Sequence, residues 1–579
     1  MKKKWHVSPL PEENEIERLA KELGCNRITA ILLLQRGITS EEEADRFFHP
    51  SLDMLHDPFL MKDMDKAVSR LDKAIDGNEK IFIYGDYDVD GTTSVALLYK
   101  YLKDKTVPGR VEYYIPDRYI EGYGISENSL NYASENGFSL MLVTDYGVKD
   151  VERIEYARSK GIDIIICDHH TPGEKLPKAV AVLDPQRADC NYPYKWLSAC
   201  GVSFKLIQAH SIRNNLPPED IYPLLDLVCV SIAGDIVPIM GENRILTYFG
   251  LRRLNTAPSL GLKIIMKSAR IEGEIDINDI VFKIGPRINA AGRVDDGNKS
   301  VALLTSENEK AAAETNDNIN TYNDKRRKID HATTEEAVEF LRISENDSRR
   351  TIVLFNPRWH KGVIAIVASR LAESFHKPTV ILTESNGLAT GSARSIEGFD
   401  LYAAISKCSE LLENYGGHKY AAGLTLKIEN IPAFRKKFED AVEDMMEKDM
   451  LIPQMHIDAK IALTDVTTDL CRELNKFAPF GPCNHIPVFM TEKVSNFVIG
   501  TKRVGRRKEH LKLVVEDGTR ACNERNGIGF GMGKLYDKLY SGNYFDIAYS
   551  IQENRFMGKT DVQMLIRDII FPDDKTENP

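Results

Sequence analysis

Ile81–Gly91 reads IFIYGDYDVDG. Four apolar or aromatic residues run into Gly85, and Asp86, Asp88 and Asp90 follow at every second position. Carboxylates this close repel one another unless cations neutralise them, so the cluster reads as a divalent metal site. The following TTSVALLYKYL has the apolar spacing of an amphipathic helix. The stretch is therefore strand, acidic turn, helix. In an open α/β sheet, ligands bind beyond the carboxyl ends of the strands, where this turn falls. D-x-D-x-D-G also opens an EF-hand loop. That loop requires a Glu at its twelfth position, where Leu97 stands, and a helix in front, where KIFIY is β-like, so calcium binding of that type is rejected.

Outward from this stretch, a βα rhythm runs from residue 80 to about 240. KIFIYGD, RVEYYIP, SLMLVTD, IDIIICD and AVAVLD are strand candidates. Near-continuous apolar strands with helices between them indicate a buried, mainly parallel sheet. Several end in an acid: Asp86, Asp145, Asp168 and Asp184, with His169 and His170 directly after Asp168. Asp235 ends a further apolar stretch, LLDLVCVSIAGD. Taken singly, an Asp before a helix is an N-cap and a His pair is polar filler. Jointly, Asp86, Asp88, Asp90, Asp145, His169, His170 and Asp235 supply donors for two hard-to-borderline cations. Carboxylate with some imidazole suits Mn2+, with Mg2+ as the other candidate, and the absence of thiolates argues against structural zinc.

GDYDVDG, VTDYG, DHH and AGD, in this order, resemble the DHH phosphoesterase superfamily. PDRYIEGYG, GPRINAAGR, WHKGVIAIVASRLAE and YGGHKYAAG narrow the resemblance to its RecJ-type branch of bacterial single-strand-specific exonucleases. The resemblance implies an α/β fold class: two α/β domains, DHH and DHHA1-like, joined by a long helix, plus a C-terminal OB-like β-barrel. The expected boundaries are an N-terminal helical segment at 1–75, the DHH domain at 76–300, a connecting helix at 301–345, the DHHA1-like domain at 346–450 and the barrel at 451–575.

The same resemblance implies a 5′→3′ exonuclease that hydrolyses single-stranded DNA to mononucleotides with two divalent ions, Mn2+ or Mg2+, in repair and recombination. The alternative is a DHH phosphodiesterase acting on short oligonucleotides or cyclic dinucleotides. In the implied site, Asp145 bridges the ions. Asp90, His169 and Asp235 hold one, and Asp88 with Asp86 holds the other. Asp86 could instead orient or deprotonate the attacking water. His170 faces the phosphate as donor or general acid, and Asp168 fixes an imidazole. Arg118, Arg293, Ser392, Arg394 and His418 meet the phosphates, several of them at the 5′ end. Implied partners are single-stranded DNA, a helicase and a single-strand-binding protein.

Between the two α/β units, residues 298–356 contain neither Gly nor Pro, and 306–345 reads as one long helix or two in series. Beyond residue 455, short alternating runs with turn signals predict a small barrel. KRVGRRKEHLK, 502–512, holds six Lys/Arg and one Glu; Arg503, Arg506 and Arg507 are its candidates for nucleic-acid contact. A charged edge strand that blocks aggregation reads the same way. GIGFGMGK, 527–534, is followed by Leu535 and lacks the phosphate-loop register.

The totals agree. At 579 residues, length points to roughly three to five domains. A hydrophobic share of 42% supports real cores, and no apolar run approaches the ~20 residues of a membrane span. The basic start MKKKWHVSPLPEENE has no apolar region behind it, so no secretory signal is expected. Nine scattered cysteines without C-x-x-C point to a reduced, cytoplasmic chain. The net charge of −10 excludes a diffuse polyanion binder but leaves room for a local basic groove.

Overall fold

The apolar run before Asp86 forms strand β1 (Lys80–Gly85), second from one edge of a wholly parallel five-stranded sheet. Its companions are β2 (Val111–Tyr114), β3 (Phe138–Thr144), β4 (Asp163–Cys167) and β5 (Ala181–Leu183), in the order β2-β1-β3-β4-β5. These are the five strands expected from the sequence. Ile81, Ile83, Leu140, Leu142 and Ile165 enter the core on one face, and Phe82, Tyr84, Met141, Val143 and Ile166 the core on the other. Covered on both faces, the strands have no polar side to show, which is why they read as unbroken apolar runs.

Register then does the essential work. Gly85 lies opposite Thr144, Thr144 opposite Cys167, and Cys167 opposite Leu183. The next residues, Asp86, Asp145, Asp168 and Asp184, therefore stand abreast at one end of the sheet.

The computed structural model describes residues 3–117, 120–122, 124–343, 349–497, 499–517, 524–541, 544–556 and 559–572. The chain divides into two units, Leu52–Pro453 and a second made of Met1–Ser51 with Gln454–Pro579. In the first, Asp88 caps helix α1 (Val89–Lys103) by accepting from the Gly91 N–H at 3.1 Å. Gly91 must be glycine, because a Cβ there would lie 2.4 Å from the Asp86 backbone. Helices α2 (Ala199–Arg213) and α3 (Leu225–Gly234) pack beside α1. The apolar stretch before Asp235 is thus a helix, and Asp235 stands at its C-terminus.

Helix α4 (Gly285–Val294), carrying GPRINAAGR, packs on helix α5 (Glu309–Ile343). At 35 residues, α5 is about 52 Å long. The expected helix from 306 starts later. Ser306 is extended, and the Asn308 side chain accepts from the Ala311 N–H at 3.0 Å, so a polar cap interrupts a stretch free of Gly and Pro. A second sheet follows: β6 (Ile352–Phe355), β7 (Thr379–Ser385), β8 (Leu388–Arg394), β9 (Asn414–His418) and β10 (Ala421–Leu426), in the order β9-β10-β8-β7-β6. Helix α6 (Ile364–Phe375) packs against it.

In the other unit, β11 (Phe489–Asn496), β12 (Lys502–Val504), β13 (His510–Glu516), β14 (Arg525–Gly529), β15 (Phe545–Phe556) and β16 (Lys559–Ile570) build the barrel. It closes where β11 pairs with β13. The expected segment 1–75 does not stay together. Lys4–Val7 pairs in parallel with Gln454–Ile457, and Trp5 Nε1 donates to Asp568 at 2.9 Å. Arg36 donates to Asn484 at 2.9 Å and stacks over Phe477. Met64–Asp76 instead buries Met64, Val68 and Leu71 in the core of the first sheet. Each amphipathic helix followed the apolar surface that covered it, and sequence proximity had no say.

Replacing Gly91 with Ala forces the start of α1 away from the Asp86 turn. Denaturant unfolding should show a loss of about 1–3 kcal/mol, with weaker binding of divalent ions. Wild-type stability in this variant would contradict the close approach.

Candidate metal centre and facing cleft

At the strand ends, each acidic side chain is held differently. Asp86 is buried; its Oδ1 accepts from the Tyr87 N–H at 2.6 Å and from the Tyr146 hydroxyl at 3.4 Å. Asp90 is 1% exposed and points into the N-terminus of α2. It accepts from the Ala199 N–H at 2.7 Å, the Cys200 N–H at 2.9 Å and the Ser231 hydroxyl at 2.6 Å. Amides at a helix N-terminus are a natural seat for an anionic group. Asp145 has φ +65°, a left-handed backbone that Asp tolerates better than most residues. Ile236, directly after Asp235, has φ +60°, a costly conformation for a β-branched residue. Asp145 is itself a candidate ligand, and Ile236 adjoins another, Asp235.

His169 Nε2 lies at the focus: 3.4 Å from Asp145 Oδ1, 3.6 Å from Asp90 Oδ2 and 3.6 Å from Asp235 Oδ2. This nitrogen is buried and makes no hydrogen bond among the described residues. Burial lowers the His169 pKa, with Asp90 opposing, so the lone pair is available. Burial raises the Asp145 carboxyl well above its ordinary range, and Asp88, Asp90, Asp86 and Asp235 add to the rise. Burial likewise raises Asp235, helped by Asp90 and Asp88. Its place at a helix C-terminus disfavours its charge further.

The donors fall into three overlapping groups: Asp86–Asp88–Asp145, Asp90–His169–Asp235 and Asp145–His169–His170. Within each group the ligand atoms lie within 4.8 Å of one another. A buried nitrogen without a partner, ringed by carboxylates that repel each other, fits divalent cations and little else.

His170 is set differently. Its Nδ1 meets Asp168 Oδ1 at 2.8 Å. Burial opposes its charge, but the Asp168 hydrogen bond and the charges of Asp168, Asp235 and Asp90 outweigh it and push the imidazole up to about 9. Asp168 is buried, yet it accepts from the backbone N–H of Val148, His169 and His170, and with His170 beside it the carboxyl is lowered. Asp184 lies behind the pair. Burial pushes it up to about 7, and one of its oxygens has no partner among the described residues.

A cleft of about 680 Å³ adjoins this centre. Tyr87, Tyr146, Lys149 and His170 line one wall; Lys361, Ser392, Arg394 and His418 line the other. Arg394 Nη1 donates to Ser392 Oγ at 3.0 Å. Burial lowers the pKa of His418, and Arg394 and His170 lower it further. Gly417, with φ +147°, would place a Cβ 2.3 Å from the Ala421 carbonyl, so the hairpin requires glycine here. Arg293, on α4, donates to the Gly362 carbonyl at 3.1 Å beside this wall. Arg118 lies outside the described residues.

In the barrel unit, Arg503 is engaged within the protein: with Asp537 at 2.5 Å, with the Gly533 carbonyl at 2.9 Å and over the Tyr536 ring. Arg506 and Arg507 are exposed on the turn after it. Sequence reading missed Tyr146, Lys149 and Lys361, although Lys361 sits in the quoted WHKGV. It also missed the α2 amides that hold Asp90; the S-x-x-G cap at Ser198 was the available signal.

Parallel strands ending in Asp, followed by the DHH triplet, define the class, a protein of the DHH family; the model of the DHH family N-terminal domain matches residues 80–232. The DHHA1 domain model matches 349–444 and the RecJ OB domain model 457–568. Single-stranded-DNA-specific exonuclease RecJ of Bacillus subtilis is 35% identical over 571 residues, covering 98% of this chain and 71% of the relative. The Escherichia coli protein of the same name is 30% identical over 558 residues, covering 93% and 95%. The crystal structure of RecJ in complex with Mn2+ from Thermus thermophilus superposes with a TM-score of 0.83 at 25% identity, covering 98% of this chain and 79% of that one. The chain belongs to the RecJ family of single-stranded-DNA-specific exonucleases.

Asp145→Asn keeps a side chain suited to left-handed backbone and removes one charge. Because the folded state raises the Asp145 pKa, its ionised form costs stability at neutral pH when metal is absent. The variant should therefore melt higher than wild type in EDTA and lose the melting-point gain that Mn2+ confers. Calorimetry in both conditions checks this; a retained Mn2+ gain would remove Asp145 from the ligand set.

Proposed function

We propose that this protein is a 5′→3′ exonuclease that degrades single-stranded DNA to mononucleotides with two divalent ions, Mn2+ or Mg2+. The observation that carries the reading is the convergence of Asp90, Asp145 and Asp235 on the partnerless Nε2 of His169, beside a cleft whose far wall bears Ser392, Arg394 and His418. Asp145 would contribute to both metal positions, Asp90, His169 and Asp235 would hold one ion, and Asp86 with Asp88 would hold the other. The ions supply acidified water and neutralisation of charge at the reacting phosphate.

The chain's own groups do the rest. In the alternative to its ligand role, Asp86, hydrogen-bonded to Tyr146, orients or deprotonates the attacking water. His170, kept protonated by Asp168, donates to the phosphate. Arg394 and Ser392 receive the 5′-terminal phosphate, because a guanidinium and a hydroxyl side by side on the cleft wall match its oxygens. Arg293 and His418 flank that spot, and Arg506 and Arg507 of the barrel hold more distant phosphates. Family membership supports a role in repair and recombination with a helicase and a single-strand-binding protein. The eight described cysteines are all free, which supports a cytoplasmic setting, and no described helix is long and apolar enough to cross a membrane.

The decisive assay compares single- and double-stranded DNA, with and without a 5′ phosphate, in Mn2+ and in EDTA. The expected result is metal-dependent release of mononucleotides from 5′-phosphorylated single strands. Preferential cleavage of a dinucleotide or cyclic dinucleotide would replace this reading. The raised His170 pKa means that its proton is present below about 9 and lost as pH rises through that value. The alkaline limb of the rate profile should therefore move to lower pH in Asp168→Asn; an unmoved limb excludes His170 as donor. In the barrel, Arg506→Ala with Arg507→Ala should weaken binding of long single strands and flatten its salt dependence by about 0.7 per lost contact. Arg503→Ala, in contrast, should lower the melting temperature of the barrel unit, because it removes an internal ion pair.

A further inference from the structure

The interface of α4, α5 and α6 concentrates like charge that the described residues do not neutralise. Arg326 on α5 is half-buried, and its Nε is buried without a hydrogen-bond partner among the described residues. Its Nη2 donates to the neutral Asn323, at 3.0 Å. Arg287 of α4 reaches the same region, with Nε donating to Asn320 at 3.1 Å and Nη1 to the Lys283 carbonyl at 2.6 Å, both uncharged acceptors. Arg370 of α6 pairs with Asp330 at 2.8 Å. Lys325, Arg327 and Lys328 are exposed on the same two turns of α5.

Burial lowers the Arg326 pKa; Asp330 opposes this, while Arg327, Arg370 and Arg287 lower it further. Burial and Arg327 act the same way on Arg287, with Asp324 opposing. Asp330 is the carboxylate that acts on Arg326, and Asp324 the one that acts on Arg287. A purely structural role would place acids against the guanidiniums; Arg370 has one in Asp330, whereas Arg326 and Arg287 are held by amides and a carbonyl.

Its location narrows the ligand. Lys325 lies close enough to His360 to oppose its protonation, and the next residue, Lys361, lines the cleft beside the metal centre. Arg293 of α4 donates to Gly362 on that same lip. Lys361 on the cleft wall and Lys325 on the connecting helix thus lie on either side of His360.

We propose that Lys325, Arg326 and Arg327 of α5, with Arg287 and Arg370, form a phosphate-binding track that carries the backbone of the single strand outside the cleft. This rests on the nuclease reading above and extends it to a second contact region. The ligand chemistry is a phosphate anion, and the source assigned is the phosphodiester backbone rather than free phosphate. Guanidiniums held by neutral partners suit phosphate oxygens, and the exposed flanking cations extend the track along the helix. The contacts are with backbone alone, so they confer affinity and salt dependence without sequence preference.

The test uses the full chain with Ca2+ in place of Mn2+, and a long 5′-phosphorylated oligothymidine followed by fluorescence anisotropy over a salt series. Arg326→Gln with Arg327→Gln should weaken binding and reduce the salt slope by about 1.4, or 0.7 per lost phosphate contact on a single strand. Hydrolysis of a 5′-phosphorylated dinucleotide in Mn2+ should keep its kcat and KM, because that substrate ends inside the cleft. The melting temperature should not fall, since the change relieves repulsion. Lys325→Gln with Arg327→Gln, both exposed, repeats the measurement without touching a buried group. Unchanged affinity and slope in both variants, with a wild type that digests strands normally, overturns the track and leaves the nuclease reading standing. A wild type that fails to digest single strands removes that reading itself. If inorganic phosphate raises the melting temperature of the wild type but not of Arg326→Gln with Arg327→Gln, while strand affinity is unchanged, the site belongs to a free anion and the assignment to the strand is overturned.

Discussion

Mutual repulsion among buried carboxylates is the constraint on which the rest of this structure turns. Asp90, Asp145 and Asp235 meet at His169 Nε2, with Asp86 and Asp88 alongside. No arrangement of the chain alone makes that favourable. The fold limits the cost by giving one acid, Asp90, the amides of a helix N-terminus, while Asp235 receives the unfavourable C-terminal end of another. Left-handed backbone at Asp145 and Ile236 adds strain to the same ring. The parallel sheet and its covering helices hold this ring of charge under tension, and cations relieve it.

Two adjacent imidazoles divide the chemistry because their surroundings differ. His169 is buried and loses its proton, which suits a ligand. His170 is fixed by Asp168 and keeps its proton to about 9, which suits a donor to phosphate. Asp168 serves both purposes through a single carboxylate, since the same oxygen accepts from the His169 N–H and meets His170 Nδ1. The second sheet then brings Ser392, Arg394 and His418 to the opposite wall. Basic groups, among them Lys149, His170, Lys361 and Arg394, thus line the cleft beside a ring of carboxylates.

The barrel unit uses its ends to complete itself. Its N-terminal strand and helices come from the start of the chain and cover Gln454–Ile457, Phe477 and Asn484. Closure through β11 and β13 leaves only the short strands Ala459–Lys460 and β12 at the ends of the sheet order. Arg503 illustrates how a basic run divides once folded. One cation is absorbed by Asp537 and Tyr536, and its neighbours on the turn remain exposed.

Much of this was legible in the chain. The five apolar runs and their terminal acids were readable because a strand buried on both faces tolerates almost nothing else, and because register aligns the residues that follow. The candidate donors were readable as a group, and the structure gathers Asp86, Asp88, Asp90, Asp145, His169, His170 and Asp235 within reach of one another. Other features were not legible. That Asp235 rides on a helix end, that α2 amides hold Asp90, and that residues 3–51 join the barrel while Met64–Asp76 joins the first sheet depend on contacts hundreds of positions apart. The break at Ser306–Asn308 also escaped notice, because a side-chain cap leaves no Gly or Pro. Local pattern sufficed wherever one element's own burial dictated its residues. Tertiary structure alone decided which distant surfaces met, because the free energy of those contacts belongs to pairs of segments and is written in neither one.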